Sequence, residues 1–206
     1  MIELVLIHHG LTLGNEDKRF IGTTDELLSS TGVAGLQMRE YPMAGLVFSS
    51  PMKRCVQTAE ILYPEIKAII IDQFRECNYG AFEDKTYFEV KRNPAYYNWL
   101  NSAGKMPFPD GEGRAEFIER TMQGLEEILE IMNCKKAKKA ILIIHEGTIM
   151  GIMSKLAFPR GDYYDFQIQN AEGYILHLNE KFLYDLCFSA KTDWANGGNH
   201  KNYIKF

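Results

Sequence analysis

The sequence predicts an α/β fold, a mostly parallel sheet covered by helices, and three observations carry that prediction. Short apolar runs rich in β-formers recur at Leu4 to Ile7, Leu46 to Phe48, Ala68 to Ile71, Ile141 to Ile144 and Tyr174 to Leu178, with longer helix-like segments between them. Leu4-Val5-Leu6-Ile7 and Ile141-Leu142-Ile143-Ile144 show no polar alternation, as expected of strands buried on both faces, so they are the candidate central strands. Arg114 to Asn133 places Ile118, Met122, Leu125, Leu129 and Met132 on one helical face, with most of its glutamates elsewhere.

The remaining elements follow from local chemistry. A helix should start at Pro51, where proline suits the first helical position and Ser49-Ser50 can cap it; Arg54, Gln57 and Thr58 then fall in its first two turns. Another follows Gly147 through Ile149, Met153 and Leu156. Residues 93–113 carry Pro94, Pro107, Pro109, Gly104 and Gly111 among Tyr96, Tyr97, Trp99 and Phe108, too many breakers for continuous regular structure. They read as a lid insertion, or over 95–101 as a short helix packing its aromatics inward. No repeat or linker divides residues 1–206, so one domain is expected.

At 206 residues, roughly 70% of the unfolded chain's surface can be buried, so a core forms without metal or disulfides. The net charge of −4 argues against nucleic acid, whose phosphates want a basic footprint. Lys135, Lys136, Lys138 and Lys139 read as a solvated turn into a strand. The longest apolar run, Ala140 to Ile144, is far short of a membrane span, and Met1-Ile2-Glu3 opens no signal peptide. Cys55, Cys77, Cys134 and Cys187 are scattered without CxxC pairing, which suits buried thiols in a reducing cytoplasm. The expectation is a cytoplasmic chain with neither membrane nor nucleic-acid partners.

Chemistry is expected at the strand ends. Ile7-His8-His9-Gly10 and Ile144-His145-Glu146-Gly147 each place histidine just beyond a buried strand and glycine just after it, where ligands of open α/β sheets bind. A third strand end delivers Arg54 on the first turn of a helix, where dipole and free N–H groups favour an anion. Together these describe a phosphate-sized anion site. Zinc is disfavoured: His8 and His9 point opposite ways if the strand continues through them, and His145-Glu146 lacks the second histidine of HExxH. There is no Walker loop, no glycine fingerprint after a strand and no GxSxG elbow, so neither a nucleotide cofactor nor a serine nucleophile is indicated. His177 reads as a satisfied core residue inside a strand and His200 as exposed.

Four ordered blocks carry a resemblance. His8-His9-Gly10-Leu11-Thr12 with Asn15, then Arg19, Gly22 and Asp25, is similar to RHGxTxxN…RxxGxxD. Ser50-Pro51-Met52-Lys53-Arg54 with Gln57-Thr58-Ala59 is similar to SPxxRxxQTA. Arg75-Glu76 with Gly80 and Glu83 resembles LRExxxGxxE, and His145-Glu146-Gly147-Thr148-Ile149 resembles HxGxI. These are motifs of the histidine phosphatase (phosphoglycerate mutase-like) superfamily, and Asp110-Gly111-Glu112 is loosely similar to its PGGES segment.

The resemblance implies a three-layer α/β/α sandwich of phosphoglycerate mutase-like fold and a metal-independent phosphoric monoester hydrolase of the broad-specificity or α-ribazole phosphatase branch. It implies His9 as the nucleophile that takes the phosphoryl group and Glu76 as proton donor to the leaving group. Asn15, Arg54 and His145 then hold phosphoryl oxygens, with His8 beside them, and Arg19, Gly22 and Thr148 fall at the substrate rim. No cofactor is expected. The partner is a small phosphorylated metabolite, and a homodimer is a reasonable assembly. His8 stands where the superfamily has arginine, and an imidazolium there would make activity lean to mildly acidic pH. Two alternatives remain open: mutase-type phosphoryl transfer, and a non-catalytic phospho-ligand binding protein because of His8.

Overall fold

The computed structural model describes residues 1–179 and 201–206. It contains six strands: β1 (Ile2–His8), β2 (Val47–Ser49), β3 (Ile69–Ile70), β4 (Lys139–Ile144), β5 (Gly173–Leu178) and β6 (Tyr203–Lys205). Among the described residues, seven α-helices connect or flank them: α1 (Leu13–Glu16), α2 (Ser30–Gln37), α3 (Lys53–Leu62), α4 (Tyr87–Val90), α5 (Pro94–Asn101), α6 (Arg114–Cys134) and α7 (Glu146–Leu156). The sheet order is β3-β2-β4-β1-β5-β6. The pairs β1–β4, β4–β2 and β2–β3 are parallel, whereas β5 and β6 add antiparallel.

The two unalternated runs are the central pair, as their composition requires. Because side chains alternate across a strand, Leu4, Leu6, Ala140, Leu142 and Ile144 face one core, against Leu125, Ile128 and Met132 of α6 and Ile149, Ile152 and Met153 of α7. Val5, Ile7, Ile141 and Ile143 face the other, against Cys55, Ala59 and Tyr63 around α3. Helices therefore cover both faces, and this is an α/β/α sandwich with a mixed sheet. β6 lies outside the five expected runs: three residues at a half-exposed edge have no burial pattern to give them away.

The expected apolar face of α6 is rotated slightly. Its buried stripe is Phe117, Thr121, Gly124, Leu125, Ile128, Leu129 and Met132, with Ile118 and Met122 half-buried at its edge. Gly124 lets Phe74 approach, since a Cβ there would meet that ring at 2.9 Å. The helix expected from Pro51 begins at Lys53, with Met52 at the cap; Ser50 Oγ accepts from the Met52 N–H at 3.3 Å, and the Met52 side chain makes no cap hydrogen bond. Ser49 completes β2, and the first N–H of α3, on Lys53, is instead satisfied by Asp25 Oδ1 at 2.7 Å.

Other local readings can be placed. Lys135 and Lys136 form the turn between α6 and β4. Segment 93–113 is α5 followed by irregular chain, and its Tyr96, Trp99 and Phe108 pack with Phe82, Val90 and Phe117. Cys55 and Cys77 are buried free thiols, but Cys134 is exposed at the end of α6. His177 lies in β5 yet is half-exposed beside Glu3, so it is a strand residue but not a core one. Cys187 and His200 lie outside the described residues. No helix among the described residues is long and apolar enough to cross a membrane.

Candidate active site

Register brings the two histidine-bearing strand ends to one level. His8 pairs with Ile144 across β1 and β4, and the His9 N–H donates to the Ile144 carbonyl at 3.1 Å. The His9 and His145 rings stand 5.1 Å apart between centroids. β1 stops at His8, so the adjacent histidines do not point to opposite faces: their rings meet edge-on at 4.6 Å. Arg54, second residue of α3, enters from the neighbouring strand end and is fully buried.

The hydrogen bonds set the protonation of His9. Its Nδ1 lies 2.7 Å from the Gly10 carbonyl, which can only accept, so Nδ1 carries the proton and Nε2 keeps its lone pair. Arg54 Nε–H donates to that Nε2 at 3.2 Å. Burial, reinforced by His8 and Arg54, holds the His9 imidazole well below its ordinary range, so it is neutral at physiological pH. His145 is held down in the same way, by burial first and then by Arg54, and its Nε2 meets Ser50 Oγ at 2.8 Å.

The other Arg54 donors go to backbone. Nη1 donates to the Thr24 carbonyl at 2.8 Å and Nη2 to the Gly22 carbonyl at 2.9 Å. A buried guanidinium held by carbonyls and a neutral imidazole keeps its positive charge uncompensated, which is costly until an anion arrives. Glu76 brings a buried carboxyl to the site. Burial, opposed by a hydrogen bond from the Cys77 N–H (2.7 Å) and by Arg54, raises its carboxyl to about 7. Its approach to the start of α7 depends on Gly147, where a Cβ would sit 2.6 Å from Glu76 Oε1.

His8, His9, Asn15, Arg19, Phe20 and Glu76 share the lining of one cleft of about 410 Å³. Asn15 Oδ1 accepts from the Thr12 N–H at 3.3 Å and from Asn170 Nδ2 at 3.2 Å, which orients its amide and leaves the amide nitrogen as donor. His8 corrects an expectation. Burial brings it down to about 4 and Asn170 Nδ2 donates to its Nε2 at 3.3 Å, so it is a neutral ring across pH 5 to 8, not an imidazolium. The positive field is left to Arg54.

Of the expected rim residues, Arg19 lines the cleft and donates to the Asp84 carbonyl at 2.8 Å. Gly22 and Thr148 are buried and do not line it. Thr148 faces inward from α7, which is buried along nearly its whole length. Gly22 acts one step behind the site. Glu83 Oε1 accepts from the N–H groups of Gly22 and Thr24 and from the Thr24 hydroxyl, each at 2.8 Å, and the carbonyls of the same two residues hold Arg54. A Cβ at Gly22 would lie 2.0 Å from the Cys77 carbonyl oxygen, backbone that cannot step aside cheaply. Gly22→Ala should therefore cost about 3 kcal/mol, lowering Tm by roughly 6–12 °C in a thermal melt.

Asn170 is the participant that sequence reasoning missed. Its amide reaches His8, the His9 carbonyl and Asn15 at 3.1–3.3 Å. Nothing in its own neighbourhood marks it. It arrives because β5 runs antiparallel to β1, so the loop before β5 folds over the end of β1 and Ala171 N–H donates to the His8 carbonyl. Glu146, whose carboxyl is raised by burial and accepts from the Ile168 N–H, also lines the cleft. Among the described residues, no group of three or more His, Cys, Asp or Glu side chains is placed to hold a metal ion.

Residues 4–183 match the histidine phosphatase superfamily (branch 1). The chain is 26% identical over 165 residues to an uncharacterized phosphatase, PhoE, of Bacillus subtilis, covering 76% of this chain and 78% of the relative. It is 24% identical over 191 residues to phosphoserine phosphatase 1 of Hydrogenobacter thermophilus, covering 88% and 89%. Its fold is similar to a phosphoglycerate mutase from Thermus thermophilus (TM-score 0.68, 26% identity, 85% of this chain and 92% of that one). An α-ribazole phosphatase from Shigella flexneri shares the fold (TM-score 0.76, 20% identity, 87% and 92%).

Proposed function

The chain belongs to the histidine phosphatase superfamily, and on that premise we propose that it hydrolyses a small phosphate monoester through a phosphohistidine formed on His9. The observation that carries this reading is the pairing at the cleft. An imidazole with its proton locked on Nδ1 presents the Nε2 lone pair beside a fully buried guanidinium, and a carboxyl raised to about 7 lines the same space.

Each residue then has one task. His9 Nε2 attacks phosphorus in line with the ester bond; the N–P bond forms as the P–O bond breaks, and the departing oxygen takes the proton of Glu76. Arg54, whose Nε already meets the Nε2 lone pair, is placed to take phosphoryl oxygens as phosphorus occupies that position, with Asn15 and the neutral His8 and His145 as further hydrogen-bonding groups. In the second half, water attacks phosphorus and gives its proton to the Glu76 carboxylate. The N–P electron pair returns to Nε2, and phosphate leaves. No step calls on a metal ion, since Arg54 supplies the fixed positive charge.

The test is single-turnover labelling with ³²P-labelled p-nitrophenyl phosphate in EDTA. Nitrophenol and inorganic phosphate should appear in equal amounts, passing through a protein label that is stable to alkali and labile to acid. Label delivered to 3-phosphoglycerate in preference to water would make the protein a mutase. Phosphate binding by calorimetry, with neither label nor turnover, would make it a phospho-ligand binding protein.

A further inference from the structure

Glu76 stands in a wall between two spaces. One is the catalytic cleft; the other, of about 630 Å³, is lined by Thr23, Gln73, Asn78, Glu112 and Arg120 among others. A carboxyl that admits water from the outer side loses the desolvation that keeps it protonated.

The backbone that carries Glu76 is pinned from the outer side by one ion pair. Arg120, in the second turn of α6, donates through Nη1 to the carbonyls of Gln73 (2.6 Å) and Arg75 (3.0 Å), just before Glu76. Its Nε and Nη2 make a bidentate pair with Glu112 at 3.0 and 2.7 Å. Glu112 in turn holds the chain just after Glu76: its N–H donates to the Asn78 carbonyl at 2.9 Å, and its Oε2 accepts from the Asn78 N–H at 3.4 Å. The pair is not a loose surface contact, since its side chains are only 27% and 12% exposed and the guanidinium lies 5.0 Å from the Phe117 ring. Backbone contact reinforces it. The Ala81 N–H donates to the Pro109 carbonyl at 2.7 Å, and a Cβ at Gly111 would lie 2.5 Å from the Asn78 carbonyl oxygen. Asp110-Gly111-Glu112, to which the phosphoryl chemistry assigns no task, is thus seated against the residues that follow Glu76.

Glu112 also balances charge. Of the charged groups around the Glu76 carboxyl, Arg54 of α3 lowers it and Glu146 of α7 raises it, while Cys77, Tyr79 and Tyr163 beside it are kept neutral by burial. Arg120 is a second guanidinium at this wall, and without Glu112 its charge would pull in the same direction as that of Arg54.

We propose that Arg120 and Glu112 are positioning residues for proton transfer: together they hold residues 73–78 so that the Glu76 carboxyl stays against the start of α7, in the catalytic cleft and closed off from the outer one. This rests on the proposed hydrolysis, with Glu76 as its proton donor.

The experiment measures kcat and KM on ethyl phosphate and p-nitrophenyl phosphate from pH 5 to 9, for the parent, Arg120→Lys, Glu112→Gln, Glu76→Gln and the double variant Glu76→Gln/Arg120→Lys. Lysine keeps the charge but cannot span Glu112 and both carbonyls. In Arg120→Lys, kcat on ethyl phosphate should fall at least about tenfold, against about twofold or less on p-nitrophenyl phosphate, with KM within about twofold. Glu112→Gln is isosteric and still accepts from Arg120, so it should spare the acid-side rate but move the alkaline fall on ethyl phosphate down by about half to one pH unit. If Arg120→Lys does not fold, that profile decides by itself. Adding Arg120→Lys to Glu76→Gln should change neither rate by more than about twofold, because the group being positioned is gone. Equal losses on the two esters, an unmoved alkaline fall in Glu112→Gln, or an Arg120→Lys loss that persists in full in the Glu76→Gln background overturns the clamp and leaves the hydrolytic reading intact. A Glu76→Gln protein that loses both esters equally overturns the acid role itself, and the clamp with it.

Discussion

Replacing His9 with alanine should lower phosphate release by at least about 10³-fold, because the variant keeps the anion site but has no atom to accept phosphorus. The prediction is sharp because the proposed reaction assigns the two tasks to different side chains. In the proposed reaction the nucleophile is one nitrogen, Nε2, left unprotonated by the Nδ1 bond to Gly10 and accepting from Arg54 Nε–H until phosphorus takes that place. Anion binding is assigned in the same proposal mainly to Arg54, whose backbone anchors at Gly22 and Thr24 do not involve His9. His9→Ala should therefore still bind inorganic phosphate in calorimetry, within about tenfold of the parent, with an unchanged circular dichroism spectrum. Turnover that persists in a folded His9→Ala protein would show that phosphate reaches water by a route that avoids this imidazole.

Glu76→Gln should lower kcat by about 10²–10⁴-fold on an alkyl monoester, the usual contribution of a general acid. The loss should be much smaller on p-nitrophenyl phosphate, whose leaving oxygen departs without a proton. The pH dependence adds a signature. A carboxyl raised to about 7 is protonated below that pH and able to donate; as pH rises through 7 it ionises and the donor is lost. The parent rate on alkyl esters should thus hold on the acid side and fall about tenfold per pH unit above 7. His9, kept well below its ordinary range by burial, imposes no acid limb near pH 6, and neither does His8. Glu76→Gln should flatten the alkaline fall. A parent profile with no break near 7, or an equal loss on both leaving groups, would remove Glu76 from proton transfer.

The roles of these residues differ in how visible they are in one dimension. His9, Arg54, Glu76 and His145 sit in motifs of fixed spacing, and the first, second and fourth follow buried strands whose apolar runs are themselves legible. Asn170 has no such marker. It meets Asn15 and His8 through 155 and 162 residues of chain, and only antiparallel pairing of β5 with β1 makes them neighbours. Thr148 illustrates the opposite error. A motif position in the first turn of α7 reads as rim, yet α7 is packed on nearly all sides and turns that hydroxyl inward.

His8 illustrates the same division for electrostatics. Its position at a strand end is written in the sequence, but its charge is not: the solvation lost on burial decides it, and the Asn170 amide that meets its Nε2 comes from a loop beyond α7. By itself, then, the amino-acid sequence determined the central strands, the major helices and the set of groups able to handle a phosphoryl group, because hydrophobic periodicity and motif spacing are local properties of the chain. Tertiary structure alone decided which nitrogen of His9 carries the proton, where the carboxyl of Glu76 titrates and how Glu83 steadies the loop that grips Arg54. Those properties depend on desolvation and on contacts between segments far apart in sequence, and neither exists until the chain has folded.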